Sequence, residues 1–301
     1  MTSDSAAALR SHLYVPGDRP QVLAKAVARG ADALIVDLED AVPTAAKAEA
    51  RGIVADFLGG LRPAGADGAE PTPAVWVRIN PGAAGRADLK AVIGPAVAGI
   101  CVAKTESADD VAEVVALLDA LEHERGLPAG RIAVSPLLES AAAILAARDI
   151  AAAPRVQRLQ VGEADLRAEI GVETGPDESE LLWVRSQVVL ASAAAGIEPP
   201  VGPASTNFTD LAALRQSTEA LRRLGYRGRA CIHPAQLDVV HDVFTPTAEE
   251  VDQARALVAG YEAAVAAGSG VFVDAAGRMV DLAVVRSARR TVAAARSGGE
   301  S

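Results

Sequence analysis

The sequence predicts an α/β protein of the (β/α)8 TIM-barrel class with a C-terminal helical lid subdomain. Eight short apolar runs recur along residues 1–245, nearly all separated by helical segments. That alternation belongs to a closed parallel barrel of ~250 residues. A doubly wound open sheet, the nearest competitor, expects a Gly-x-Gly-x-x-Gly turn after its first strand, and none follows here. Charged residues also stand at the C-terminal ends of most runs, where barrel enzymes place their chemistry.

The first strand is His12–Val15, broken by Pro16-Gly17-Asp18, and a helix follows over Gln21–Arg29 with Gly30 closing it. Ala33–Val36 is a β-branched run that ends in Asp37-Leu38-Glu39-Asp40, and a helix follows from Thr44 to Leu58. The Gly-, Pro- and Ala-rich stretch 59–73 reads as a surface loop. Val75–Ile79 is the third strand, stopped by Asn80-Pro81-Gly82. Gly99–Ala103 is the fourth, ending on Lys104 before a helix over Ala108–Arg125. Arg131–Leu138 and Arg158–Val161 are the fifth and sixth, with the clearest later helix over Asp177–Ala195. A weaker seventh lies at Pro200–Gly202, and Ala230–Ile232 is the eighth. Between these last two, Leu211, Leu214 and Leu221 form a helical stripe over Asp210–Leu224.

The barrel closes near residue 245. Residues 246–301 then hold a helix (Ala248–Ala267), a short Val271–Val273 run, a turn at Asp274–Gly277 and a last helix from Leu282. This is too long for a simple cap and reads as a separate subdomain on a Gly-rich connection.

Half of the 301 residues are hydrophobic and 23% are charged, enough apolar material for a large core. Aromatics make up 3%, so that core is built from Ala, Val, Leu and Ile. A net charge of −10 argues against non-specific nucleic-acid binding, which rests on neutralising phosphates. It leaves room for an anionic small ligand held by local Arg and Lys. Cys101 and Cys231 each sit inside an apolar run and read as buried thiols of a reducing compartment. Residues 1–10 have no signal-like apolar region, and no uncharged apolar run reaches the ~20 residues of a membrane span. The expectation is a cytoplasmic protein with no membrane partner.

Read in order, the strand ends carry Asp37, Glu39 and Asp40; Arg78; Lys104; Glu139; Asp165; Ser205; and His233. Glu139 and Asp165 follow adjacent strands, so their carboxylates can reach a common point. They are either charges at helix N-termini or the oxygen ligands of a hard cation such as Mg²⁺ or Mn²⁺. In the second case Glu39 and Asp40 are placed to bond metal-bound water. Zinc fits poorly, because neither a His pair at helical spacing nor a Cys cluster occurs. Arg78 has the fork geometry for a developing enolate or carboxylate oxygen. No Gly-x-Ser-x-Gly elbow is present. Lys104 has the chemistry of a Schiff-base lysine, but an aldolase of that kind would not need the carboxylate pair.

Six ordered stretches resemble one family: Arg10–Gly17; Asp37–Val42 with Lys47 and Arg51; Val77–Asn80; Pro136–Ser140; Gly162–Leu166; and Cys231–Gln236. The family is the citrate lyase β-subunit-like acyl-CoA lyases of the HpcH/HpaI aldolase superfamily, which includes malyl-CoA, β-methylmalyl-CoA and citramalyl-CoA lyases. The resemblance covers nearly the whole chain. It implies a barrel with a C-terminal lid, a homotrimer or hexamer, and Mg²⁺ (Mn²⁺ possible) on Glu139 and Asp165. It implies reversible Claisen-type cleavage of a 3-hydroxyacyl-CoA to an acyl-CoA and a 2-oxo acid, with Arg78 facing the enolate. Gly277–Asp281 resembles the lid motif whose Asp serves a neighbouring subunit as acid/base, so Asp281 joins Arg78 as a catalytic candidate. An Asp before a helix is otherwise an N-cap, and Ala283 stands where relatives often have Pro. The family also places the CoA nucleotide near the first βα loop, which nominates Tyr14, Arg19 and Lys25. Two other activities fit the same residues: a citryl-thioester lyase β subunit of a citrate lyase complex, and a CoA-independent pyruvate aldolase.

Overall fold

The computed structural model describes residues 9–61 and 73–298. Eight parallel strands close in sequence order: β1 (Ser11–Pro16), β2 (Ala33–Asp37), β3 (Ala74–Ile79), β4 (Val97–Val102), β5 (Ala133–Leu138), β6 (Gln160–Val161), β7 (Val201–Gly202) and β8 (Gly228–Cys231). β8 pairs back onto β1 through Ser11–Arg229 and His12–Ala230, so no edge is left open. The barrel class read from the sequence is therefore the class observed.

Helices α1 (Pro20–Ala26), α2 (Lys47–Gly59), α3 (Gly82–Val92), α4 (Ala108–Glu124), α5 (Ala141–Leu145), α6 (Ala147–Ala151), α7 (Glu163–Ile170), α8 (Leu182–Ala195), α9 (Leu211–Leu224) and α10 (Leu237–Phe244) fill the connections. Several bury an apolar stripe, as in Val111, Val115, Leu118 and Leu121 of α4. Ser107 starts α4 with a capping box completed by Asp110. α3 begins where the sequence marks only an Asn-Pro-Gly stop. Gly85 permits this, because a Cβ there would fall 2.0 Å from the Asn80 carbonyl oxygen. Most of the 59–73 stretch and the first eight residues lie outside the described residues.

Inside the barrel, Ala33, Ile35, Trp76 and Cys101 form a packed cluster. Trp76 fits because β4 offers Gly99, where a Cβ would sit 2.3 Å from the indole ring. Cys101 and Cys231 are free and buried, and burial pushes both thiols up to about 12.

The chain divides into a unit over Leu9–His241 and a second that takes in the residues from Asp242 on. The second holds α11 (Ala248–Ala266), an antiparallel pair β9 (Phe272–Val273) and β10 (Met279–Val280), and α12 (Leu282–Gly298). The sequence reading found the first of these two strands and missed the second, which is two residues long. No helix among the described residues is long and apolar enough to cross a membrane.

Candidate active site

The C-terminal ends of β2 to β6 converge on a charged cluster. β2 delivers Asp37 at its last residue, 1% exposed, and the turn after it carries Glu39 and Asp40. Arg78, the penultimate residue of β3, lies opposite Asp37 in the strand register. Its Nε and Nη2 donate to the two Asp37 carboxylate oxygens at 2.7 and 2.5 Å. Nη1 is shared between Glu39 at 3.1 Å and Asp40 at 3.3 Å. The Tyr14 ring lies 5.1 Å from the guanidinium carbon, a cation–π distance. Burial would lower the Arg78 pKa, but the bonds and charge of Asp37 outweigh it and hold the group above its ordinary value.

The sequence did not single out this Asp37–Arg78 fork as a pair. It is a buried, bidentate ion pair, and removing one partner strands the other's charge. Asp37→Ala is expected to lower unfolding free energy by about 3–5 kcal/mol, read from denaturant titration. A loss under ~1 kcal/mol would mean that the fork is solvated in solution.

Glu139 follows β5 directly, 6% exposed, and Asp165 lies in the first turn of α7. Asp165 lies near enough to act on the Glu139 carboxyl. Burial raises Glu139 to about 7, Asp165 adds to the rise, and the Lys104 N–H opposes it. Gly162 makes the approach possible, since a Cβ there would fall 2.8 Å from Glu139 Oε2. Glu163, one residue on, faces a different partner, with Arg185 donating to it at 2.6 and 2.7 Å.

Lys104 ties the two acidic groups together. Its Nζ donates to Glu39 Oε1 at 2.6 Å and lies 3.8 Å from Asp40, while its backbone N–H donates to Glu139 Oε1 at 2.6 Å. The bond to Glu39 raises the Lys104 ammonium above an ordinary lysine. Glu39 itself is raised by burial and by its contact with Asp40, against the pull of Lys104 and Arg78.

The remaining candidates separate. Tyr14 stands inside the barrel mouth with its hydroxyl donating to Gln160 at 3.3 Å, whereas Arg19 and Lys25 are exposed on α1 and the turn before it. Ser205 and His233 cap loops: Ser205 Oγ donates to the Asn207 carbonyl, and His233 Nδ1 accepts from the Ala235 N–H. Asp281 belongs to the second unit. Its Oδ1 accepts from the N–H groups of Ala283 and Val284 at 2.9 and 3.1 Å, so it caps α12.

The donor set fits a divalent oxygen-loving cation. Five carboxylates (Asp37, Glu39, Asp40, Glu139, Asp165) share this end with Arg78, Lys104 and Lys47, an excess of negative charge. No group of three His, Cys, Asp or Glu converges at metal-binding geometry among the described residues. Glu139 and Asp165 could supply two ligands and leave the rest to water or substrate, the usual protein share for Mg²⁺.

The closed parallel barrel, with charge gathered at the C-terminal ends of its strands, has the arrangement of a barrel enzyme. The chain belongs to the HpcH/HpaI aldolase/citrate lyase family, whose model matches residues 10–234. Its curated relatives include lyases and a (3S)-malyl-CoA thioesterase of Cereibacter sphaeroides. The chain is 36% identical over 286 residues to a citrate lyase subunit beta-like protein of Deinococcus radiodurans, covering 94% of this chain and 96% of that one. It is 32% identical over 306 residues to an L-malyl-CoA/beta-methylmalyl-CoA lyase of Cereibacter sphaeroides, covering 93% and 92%. Among solved structures it resembles CitE of Mycobacterium tuberculosis in complex with magnesium, acetoacetate and coenzyme A. That match has a TM-score of 0.75 and 31% identity, covering 96% and 99% of the two chains.

Proposed function

We propose that the chain cleaves a 3-hydroxyacyl-CoA of the malyl, methylmalyl or citramalyl type, reversibly, to an acyl-CoA and a 2-oxo acid. The observation that carries this reading is the Glu139–Asp165 pair, set beside the Lys104 and Arg78 cations at one strand end. Glu139 and Asp165 would hold Mg²⁺, with Mn²⁺ a substitute, and the ion would supply Lewis acidity toward the 2-oxo acid. Arg78 faces the thioester enolate through Nη1, the nitrogen shared at the longer distances. A donor fixed before the reaction stabilises a transient oxyanion without reorganisation.

In the condensation direction, Asp281 takes a proton from the acyl-CoA carbon, the enolate carbon attacks the keto carbon, a C–C bond forms as the keto π bond opens, and Asp281 passes the proton to the resulting alkoxide. In cleavage Asp281 takes the hydroxyl proton, the C–C bond breaks as the keto group re-forms, and the proton returns to carbon. The role asks Asp281 to act in a neighbouring subunit's site, within a homotrimer or hexamer, with residues 246–301 serving as the lid. Arg19 and Lys25 are exposed cations suited to CoA phosphates, and Tyr14 lines the reacting end. Glu39 and Asp40 lie on the far side of Lys104, in reach of substrate and bound water.

The test is a screen of the isolated chain with Mg²⁺, combining acetyl- and propionyl-CoA with glyoxylate, pyruvate and oxaloacetate. Condensation of one pair is the expected result. Turnover only with an acyl-carrier thioester would assign it to a citrate lyase complex. Cleavage of a hydroxy-oxo acid without CoA would make it a pyruvate aldolase instead.

A further inference from the structure

Three non-glycine residues among the described ones have a left-handed backbone: Lys104, Arg155 and Glu178. Such a conformation crowds Cβ against the following carbonyl, and it persists where neighbouring contacts over-determine it. Arg155 and Glu178 pair through their side chains, with Glu122 and Arg185 respectively. Lys104, at φ 53, differs in what it engages: its backbone and its side chain both meet carboxylates of the charged cluster. Its N–H donates to Glu139 and its ammonium to Glu39.

The turn that holds it is pinned on either side. The Ala103 N–H donates to the Ile79 carbonyl at 3.4 Å, and the buried Thr105 hydroxyl donates to the Val102 carbonyl at 2.9 Å. With Ala103 and Thr105 held, an extended backbone at residue 104 could not join the two segments without displacing the 103–104 peptide that carries the Lys104 N–H. In the left-handed form it meets Glu139 Oε1, while Oε2 lies against Gly162. Glycine would adopt this φ more easily, but it would give up the ammonium that reaches Glu39.

We propose that Lys104 is a positioning residue whose left-handed backbone aims the Glu139 carboxylate. The inference rests on the reading of Glu139 as a metal ligand. Groups that orient a metal ligand from behind carry about 10–100-fold in metal affinity.

The test separates backbone from charge. Lys104→Gly and Lys104→Val both lose the ammonium, but glycine accepts positive φ and a β-branched residue resists it. Mn²⁺ affinity of the purified chain, read by electron paramagnetic resonance of free Mn²⁺, is expected to hold within about twofold in Lys104→Gly. In Lys104→Val it is expected to fall at least about tenfold. Amide hydrogen exchange at residue 104, measured without metal, is expected to be slow in the parent and Lys104→Gly. It should be fast in Lys104→Val and in Glu139→Ala. If the valine variant does not fold, Lys104→Asn and Lys104→Ala replace the pair, since Asn tolerates the left-handed region better.

Equal Mn²⁺ affinity and exchange in parent and valine variant would overturn the proposal. An equal loss of affinity in glycine and valine variants would assign the effect to the ammonium and overturn it too. A parent that binds no Mn²⁺ would sink the metal reading, and the exchange measurement would still decide whether residue 104 holds Glu139.

Discussion

Glu139→Ala is expected to abolish detectable Mg²⁺ or Mn²⁺ binding and to lower kcat/KM by about 10³-fold or more. A metal acting as Lewis acid contributes several kcal/mol, and each 1.36 kcal/mol is a factor of ten. The environment of Glu139 adds a pH signature. Its carboxyl is raised from 4.5 to about 7, chiefly by burial. Below 4.5 it carries its proton whether the chain is folded or not. Between about 4.5 and about 7 the unfolded chain ionises it while the fold keeps the proton, so metal-free stability falls as pH rises through that window. The loss is on the order of 3 kcal/mol at most. A bound cation must displace the same proton, so metal affinity rises over the same range. Melting curves at pH 5 to 8, with and without Mg²⁺, should diverge as pH increases. Glu139→Gln should flatten the metal-free slope; an unchanged slope would show that another group is responsible.

Asp281→Asn should leave metal binding and melting temperature near the parent values and reduce turnover by about 10²–10⁴-fold, the usual contribution of a general acid or base. The structure makes this variant informative. Asp281 caps α12 through the Ala283 and Val284 N–H groups, and asparagine caps as well as aspartate does. Stability and proton transfer are thus separated in a single substitution. The shared-site reading adds a sharper outcome: mixing Asp281→Asn chains with Glu139→Ala chains should recover activity that neither has alone. If Asp281→Asn keeps most of its turnover, Asp281 is a cap and nothing more. If verified mixed oligomers stay inactive, each site is built within one chain.

Much of the fold was legible because burial leaves a local mark. Ala33–Val36 is a continuous apolar run of strand length, Val75–Ile79 is one interrupted only by Arg78, and each is a strand. The two-residue strands β6, β7, β9 and β10 carry too little pattern for periodicity to bound them. α3 was hidden by its Gly-Ala-Ala-Gly start, which has no apolar stripe, and only the close approach of Gly85 to Asn80 explains it.

The site divides in the same way. By itself the sequence determined which chemical groups stand at the strand ends, because a residue's place after an apolar run is a property of neighbouring residues. Only the tertiary structure decided which of them meet. Arg78 and Asp37 pair across 41 residues, Lys104 and Glu139 across 35, Lys104 and Glu39 across 65. Those distances collapse only when the barrel closes and fixes the strand register. The same closure puts Tyr14 under Arg78 and sets Glu139 against Gly162. The left-handed turn at Lys104 has no residue signature either, since lysine does not favour it and its neighbours impose it.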